Sequence, residues 1–259
     1  MRRSCFYCIH ADAISRLELI EQKVREQLRR HPEQLNLSPE FIEEELTPQD
    51  ITLILSQLSP QQQRSLHDLI INYRHLRDIP FVVFNFIELR ILDLSHNNLI
   101  FMAPEIGKLT NLEFVNLDDN ELVDLPPTFK KLTHLNCLIL SNNFLERIPD
   151  EIFHLTNLHT LWLYRNRIHR VSRRIGNLVN LRSLYLSEND IQRLPKEIFK
   201  LRHLTVLLIY DNKLQKFPIE IGRLATHLSL LDVTENEPPF SDMYKKELCS
   251  ILPTTSIVF

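Results

Sequence analysis

The sequence predicts an α/β solenoid of stacked repeats, and three observations predict it. Asparagine recurs along the chain at intervals of 23 residues, the last interval being 24. Leucine or another aliphatic residue occupies the same frame, L-x-x-L-x-L-x-x-N, before each of these asparagines. All three glycines, Gly107, Gly176 and Gly222, stand at one position of the repeat. Self-similarity at a fixed period of this length is the signature of a repeat architecture, in which stacked units share one continuous core.

Each position of the frame predicts a structural role. Alternation across L-x-L predicts a short strand whose leucines face the core while the residues between them face outward. The Asn follows where the chain turns out of the strand, so its amide is expected to bond backbone groups that no neighbouring strand reaches. The predicted ladder comprises Asn97, Asn120, Asn143, Asn166, Asn189, Asn212 and Asn236. A proline column that suits the start of the return turn comprises Pro126, Pro149, Pro195 and Pro218.

With these motifs the chain resembles the leucine-rich repeat family, specifically the intracellular 23-residue kind found in Ras-scaffold and Ras-suppressor proteins, Erbin and Scribble. The resemblance implies a horseshoe-shaped solenoid with one short parallel strand per unit on its concave side. It covers residues 66–236, where we count eight repeats. The first repeat is degenerate, with Arg74 in the Asn place, as expected of a terminal repeat. The seven full-length units are numbered from the one that begins at Leu89.

Residues 1–65 are predicted to form an N-terminal tail and a helical cap. Ser38-Pro39, Thr47-Pro48 and Ser59-Pro60 each pair a capping residue with proline at a first helical position. They predict three or four helices, the last of which close the open end of the solenoid. Residues 12–30 place apolar side chains near one helical face. This first helix either projects to bind a partner helix or folds back on the cap.

Residues 237–259 are predicted to form a C-terminal cap. Pro238-Pro239 end the repeat, and the segment from Tyr244 to Ile251 is expected to form a closing helix. The last four residues, from Ser256 to Phe259, resemble a ligand for PDZ domains. A strand that caps the solenoid is the other use the sequence allows for them.

The search for catalytic and cofactor motifs is negative. Three glycines cannot supply a Gly-rich phosphate loop or a nucleophile elbow. Cys5-x-x-Cys8-x-His10 has the spacing of half a zinc site, but no second pair of ligands completes it. We therefore predict no metal, no cofactor and no catalytic residue. Two other uses of Cys5 and Cys8 remain. They are lipidation sites beside Arg2 and Arg3, or they belong to an inert tail.

Composition gives expectations for the compartment and the class of partner. A net charge of -3 and a pI of about 6.4 give no electrostatic reason to expect nucleic acid. The sequence contains no apolar run of about 18 residues, so we expect no transmembrane segment. Four cysteines do not resemble a disulfide framework. We expect a cytoplasmic monomer.

The outward positions of the strands predict where a protein partner binds. The only Trp and three of the six Tyr fall in the fourth to sixth full-length units. Trp, Tyr and Arg dominate the hot spots of protein interfaces. Aromatic residues also suit strands in general, but an exposed strand face that buries nothing else needs no Trp. The predicted partner-binding residues are Ile139, Trp162, Tyr164, Arg165, Arg167, Tyr185, Leu208 and Tyr210.

A second column lies four residues past each Asn and predicts a basic edge, which comprises Arg147, Arg170, Arg193 and Lys216. The N-terminal half of the solenoid is acidic instead, through Asp93, Asp118, Asp119, Glu121 and Asp124. The basic edge is either solvated charge on the rim or a surface that binds an acidic or phosphorylated partner segment.

These observations together predict a non-enzymatic scaffold or adaptor in intracellular signalling that binds a protein partner on its concave face. The family resemblance implies small GTPases, phosphatases and kinases as partner classes. One alternative is a substrate-recognition subunit of a ubiquitin ligase, whose N-terminal helices dock the ligase machinery. Another is a membrane-peripheral organiser held by lipid on Cys5 and Cys8.

Overall fold

The computed structural model describes residues 6–259, with the backbone alone for residues 6–17 and for position 219. Within this part of the chain, ten strands form one open, curved sheet in which each strand pairs in parallel with the next. The predicted fold class, a solenoid with a parallel sheet, is thereby confirmed. The strands are β1 (Gln34–Asn36), β2 (Asp68–Ile70), β3 (Ile91–Asp93), β4 (Phe114–Asn116), β5 (Cys137–Ile139), β6 (Thr160–Trp162), β7 (Ser183–Tyr185), β8 (Val206–Leu208), β9 (Leu230–Asp232) and β10 (Ser256–Val258).

Short 3₁₀ helices form the return path on the opposite side of the core from the sheet. Each follows one of the strands from β2 to β8, at Phe81–Asn85, Pro104–Lys108, Pro127–Lys131, Asp150–His154, Arg173–Asn177, Lys196–Lys200 and Ile219–Leu224. The four residues of the proline column stand immediately before four of these helices. Proline is tolerated there because its fixed φ fits the position and its missing N–H is not needed.

The core fills the space between the sheet and the 3₁₀ helices. Both leucines of each L-x-L motif point into it, and Leu161 and Leu163 are completely buried. Neighbouring strands stack without slippage, so that Leu138 pairs with Leu161 and Leu161 with Leu184. This stacking gives each unit a hydrophobic surface on which its neighbour can bury its own leucines.

Three helices close the N-terminal end, namely α1 (Phe6–Arg30), α2 (Pro48–Ser56) and α3 (Pro60–Ser65). Thr47 and Ser59 cap α2 and α3, each through a reciprocal capping box that satisfies exposed backbone N–H groups. Ile20, Val24 and Leu28 of α1 are buried in the shared core, so the second half of this helix packs on the cap.

The expected helix at Ser38-Pro39 does not form, and this prediction was wrong. Ser38 begins a single turn, in which its carbonyl accepts hydrogen bonds from the N–H groups of Phe41 and Ile42. The preceding residues form β1, which the sequence did not predict, and β1 adds a strand to the sheet beside the degenerate repeat. Beyond this turn, the carbonyls of Ile42 and Glu44 accept from the guanidinium of Arg74 instead of from a following helical turn.

Arg74 replaces the ladder Asn of the degenerate repeat, and its guanidinium is buried. Nε donates to the carbonyl of Leu37 at 2.5 Å, Nη2 to that of Ile42 at 2.6 Å, and Nη1 to that of Glu44 at 3.1 Å. Burial lowers the pKa of the Arg74 guanidinium, and the nearby Glu44 opposes that shift. The longer side chain thus fastens the N-terminal cap to the first repeat, which an Asn could not reach.

The C-terminal end is closed by α4 (Asp242–Ile251) and by β10, which pairs with β9. Leu248 of α4 is completely buried beneath the last repeat. The hydroxyl oxygen of Tyr244 accepts a hydrogen bond from the backbone N–H of Phe217 at 2.7 Å. The helix and the strand together cover leucines that a further repeat would otherwise bury.

Candidate functional site

The asparagine column is a structural part of the fold. Nδ2 of Asn143 donates to the carbonyls of Leu117, Leu140 and Ser141, at 2.9, 3.2 and 2.9 Å. Its Oδ1 accepts from the N–H of Leu122 at 2.9 Å. Each amide therefore joins its own unit to the preceding one, and the other ladder residues make equivalent bonds. These side chains serve the turn and are not available to a ligand.

The outward-facing row of the sheet runs across all eight repeats in register. Ile139 pairs with Trp162, Trp162 with Tyr185, and Tyr185 with Leu208. Adjacent parallel strands lie about 4.8 Å apart, so these four side chains form one continuous apolar strip. The strip ends in polar residues, with Asn116 on one side and Asp232 on the other.

Trp162 and Tyr185 form the centre of the strip. Their ring centroids lie 4.2 Å apart with the ring planes tilted by 31°. Trp162 keeps 37% of its surface exposed although it sits in the middle of a ten-stranded sheet. Tyr185 is half-buried. A pair of large, partly exposed aromatic side chains held rigid by a sheet can bury apolar area against a partner at low cost in conformational entropy.

A polar cluster borders the aromatic pair at the carboxyl ends of the strands. Glu188 accepts hydrogen bonds from Nε of Arg165 at 2.5 Å and from the hydroxyl of Tyr210 at 3.3 Å. Burial raises the pKa of the Tyr210 phenol, and the negative charge of Glu188 raises it further. The guanidinium of Arg165 also lies over the ring of Tyr164, 5.1 Å from its centroid. Of the four predicted partner-binding residues outside the strip, Tyr164, Arg165 and Tyr210 belong to this cluster. The fourth, Arg167, lies beside it and lines a small pocket with Arg165 and Glu188.

Backbone conformation contributes to this cluster. The residue before each ladder Asn has a positive φ, with values of 52° at Arg165 and 53° at Glu188. Asn, Asp and His adopt this left-handed conformation at lower cost than other residues. They occupy it at His96, Asp119 and Asn142, in the units that precede the cluster. At Arg165 and Glu188 the sequence instead carries two side chains that pair with one another.

A second outward column was missed in the sequence analysis. The first residue of each strand also faces outward, since alternation places it on the same side as the third, and it is half-buried in the full-length units. This column includes Phe114, Cys137, Thr160, Ser183 and Val206. The period of two that identified Trp162 would have identified these positions as well. Burial raises the pKa of the Cys137 thiol, which makes it a poor nucleophile.

The column after the third leucine position is less exposed than its polar composition suggests. Ser141 and Ser187 are buried, at 1% and 2% exposure, whereas Tyr164 between them is only half-buried. Small residues alternate with large ones in this column, so that the large side chains cover the small ones. Tyr164 and Tyr210 are therefore the members of the column that a partner would contact.

The basic edge lies on a different surface, beside an open groove of about 1310 Å³. Arg147, Arg170 and Arg193 line this groove together, whereas Lys216 is not among the lining residues. Arg167 also lines it, because the chain has already turned out of the strand at Asn166. Its guanidinium lies over the ring of Phe144, 4.4 Å from the centroid.

The acidic residues of the N-terminal half are largely engaged with neighbouring side chains. Asp93 accepts from the hydroxyl of Ser95, Asp119 contacts His96, and Asp124 pairs with Arg147 at 2.7 Å. Glu121 accepts from Asn98, and Asp118 from Asn142. All of these contacts except that between Asp93 and Ser95 join successive units.

Among the residues whose side chains are described, no three His, Cys, Asp or Glu side chains are grouped as a metal site would require. The half-site of Cys5, Cys8 and His10 lies outside that part of the chain. No helix in the described range has both the length and the apolar character needed to cross a bilayer.

Two solved structures illustrate the similarity of the fold. An internalin, inlF, from Listeria monocytogenes matches with a TM-score of 0.73 and 20% identity, over 96% of this chain and 68% of its own. The plant peptide hormone receptor RGFR1, solved in complex with RGF2, matches with a TM-score of 0.62 and 24% identity, over 81% of this chain and 36% of its own. At these identities the similarity establishes the fold alone.

Sequence comparisons identify the repeats directly. A search of curated proteins found no significant match. Three family models match, described as a leucine-rich repeat region at residues 75–172, as two copies of leucine-rich repeats at 156–196, and as a leucine-rich repeat at 179–237. The matches together extend from residue 75 to residue 237, and the chain belongs to the leucine-rich repeat proteins.

Proposed function

We propose that this protein is a non-enzymatic scaffold or adaptor in cytoplasmic signalling, which binds a protein partner on its concave face. The observation that carries the proposal is the pair at the centre of the sheet formed by the exposed Trp162 and the half-buried Tyr185. Leucine-rich repeat proteins are in general protein interaction modules, which supports the coarser part of the proposal. The finer part depends on the chemistry of the concave face.

That chemistry is typical of a protein interface. The apolar strip from Ile139 to Leu208 supplies a dry centre, and the cluster around Glu188 supplies a polar border. Hot spots consist of such aromatic anchors, surrounded by contacts that exclude water. A partner that inserts an apolar side chain against Trp162, and bonds the border with a polar backbone or side chain, would satisfy both parts.

Replacement of Trp162 by Ala tests this proposal. The substitution removes no core residue, so the thermal unfolding temperature should stay close to that of the wild type, while partner affinity falls by about 2 kcal/mol or more. Partners are to be captured with the full chain, identified by mass spectrometry, and each affinity measured by titration. Leu163→Ala, which opens a cavity in the core, should instead cost about 2–5 kcal/mol of stability.

Phe101→Ala provides a matched control, because Phe101 is a large exposed aromatic residue, 66% exposed, away from the strip. It should leave both stability and partner affinity unchanged. Partners that bind Trp162→Ala as tightly as the wild type would refute the concave face as the binding site. Unfolding of Trp162→Ala would refute the assignment of this side chain to the outer surface.

A further inference from the structure

We propose that the basic groove on the edge of the third to fifth full-length units binds a phosphorylated segment of a partner protein. The groove is separate from the concave strip and goes beyond the function proposed above. Its arginines come from three successive repeats. Arg147 and Arg170 pair as a parallel bridge, so their side chains leave the backbone side by side. The repeat therefore places arginines at a fixed spacing along the groove.

The charge of the groove is strongly one-sided. Arg147, Arg167, Arg170, Arg173 and Arg193 all line it, and the one carboxylate among the lining residues is that of Glu146. This density of positive charge occurs in a protein whose net charge is -3. The arginines repel one another, so that the empty groove carries an unfavourable energy that an anion would relieve.

Most of these arginines lack an internal partner. Arg147 is paired with Asp124 at 2.7 Å. The guanidinium groups of the other four have no carboxylate within ion-pair distance among the residues that the structure describes. Arg174, which follows directly after Arg173, is by contrast paired with Asp150 at 3.0 Å. Four of the five arginines that line the groove are thus left without an ionic partner.

A phosphate group matches this arrangement better than a carboxylate. A phosphorylated side chain carries about -1.5 to -2 charge and three acceptor oxygens, so two guanidinium groups can bind it at once. A carboxylate offers one bidentate edge, which a single arginine satisfies. Arginine rather than lysine at these positions also favours bidentate binding of phosphate.

The apolar part of the lining indicates that the phosphate belongs to a peptide. Val123 and Phe144 are exposed beside the arginines, at 47% and 40%. Pro195 adds half-buried apolar surface to this wall, and the buried Val171 and Leu194 form its base. Apolar side chains that flank a phosphorylated residue would pack on this wall, which a free phosphate would leave exposed. The contact between Arg167 and the ring of Phe144 holds one guanidinium in position beforehand.

The test is a fluorescence anisotropy titration of the full-length protein with degenerate peptide libraries. Libraries centred on phosphoserine, phosphothreonine and phosphotyrosine are compared with the same libraries lacking phosphate and with libraries centred on Glu. We expect at least one phosphorylated library to bind about tenfold or more tightly than both of its counterparts. Affinity should fall as the salt concentration rises, because the contacts are ionic and exposed.

The double variant Arg170→Gln/Arg193→Gln should lose at least about tenfold in affinity for that library. Neither side chain has an internal ionic partner, so the fold should be preserved, which circular dichroism and thermal unfolding will check. The matched control is Arg182→Gln/Arg202→Gln, which makes the same change in charge at two exposed arginines outside the groove. This control should bind like the wild type.

Trp162→Ala should also bind the phosphorylated library normally, so that failure of this proposal and failure of the concave-face proposal can be told apart. Equal affinity for phosphorylated and unphosphorylated libraries, or equal loss in both double variants, would overturn the proposal. Vesicles with and without phosphoinositide provide a further arm. Phosphoinositide vesicles that bind through Arg170 and Arg193, with no binding of the phosphorylated libraries, would assign the groove to a lipid headgroup and overturn it as well.

Discussion

Replacement of Asn143 by Ala should destabilise the protein by about 2–4 kcal/mol, because it removes four buried hydrogen bonds. The largest part of this cost comes from the N–H of Leu122. It donates to Oδ1 of Asn143, and no other acceptor for it is found among the described residues. Leu122 is completely buried. A buried donor without a partner costs about 1–3 kcal/mol.

The three carbonyls bonded by the Asn143 amide lose less. The carbonyl of Leu117 also accepts from Asn120, that of Leu140 from Asn166, and that of Ser141 from the N–H of Asp119. Each retains one donor, so together they add about 1 kcal/mol rather than a full penalty each. Because successive ladder residues share acceptors, the loss of one residue is partly buffered by its neighbours.

The assay is equilibrium unfolding in guanidinium chloride, followed by circular dichroism, with Asn98→Ala as the control. Asn98 follows the ladder residue Asn97, and its amide reaches only the Glu121 side chain at 3.1 Å, so its loss should change stability by less than about 0.5 kcal/mol. If the two variants unfolded at the same denaturant concentration, the ladder bonds would not be what holds the turns, and the reasoning would fail.

Four further substitutions test other parts of the fold. Arg74→Met keeps the apolar stem but removes the donors to Leu37, Ile42 and Glu44, and should cost about 2–4 kcal/mol, with faster hydrogen exchange confined to the N-terminal cap. Gly107→Ala should cost about 1–3 kcal/mol of stability, measured by thermal unfolding, because its Cβ would lie 2.7 Å from Cβ of Thr128. Gly222→Ala should cost less, because its Cβ would meet the end of the Ile251 side chain at 3.1 Å. A larger loss of stability in Gly222→Ala than in Gly107→Ala would contradict this account. Burial raises the pKa of Tyr244 above its ordinary value of 10.0, so its contribution to stability is complete below pH 10.0 and is lost as the pH rises through the higher pKa of the folded state. Tyr244→Phe should remove that part of the alkaline loss, and an unchanged profile of stability against pH would contradict it.

The repeating part of the fold could be predicted from the sequence because each unit repeats the same local solution. The period of two in L-x-L decides which leucines face the core, and the fixed spacing decides which strands pair. The N-terminal cap could not be predicted in this way. The turn after Ser38 contacts Arg74, whose acceptors lie 30 to 37 residues earlier in the chain and follow no period.

The candidate site shows a similar division. Alternation was enough to place Trp162, Tyr185, Ile139 and Leu208 in one row of the sheet. The pairing of Arg165 with Glu188 could not be predicted, because it depends on a left-handed backbone conformation at both positions. Arg167 was expected beside the aromatic pair. It lines a small pocket with Arg165 and Glu188, and the turn at Asn166 also brings it to the basic groove. Side chains beyond the strand follow the path of the turn, which the repeat frame does not encode.

The position of both candidate surfaces in the same few units is itself an argument for function. Each unit is stabilised by residues that point inward or into the turn, and these are nearly the same from the first full-length unit to the last. If Trp and Tyr were present only because they suit strands, they would be spread over all units, since every strand has the same backbone and the same neighbours. The same holds for the arginines, because the corresponding position carries Phe101 and Asp124 in the first two full-length units. Folding therefore does not require the aromatic strip or the basic groove in these particular units. Binding of a partner would account for their presence there.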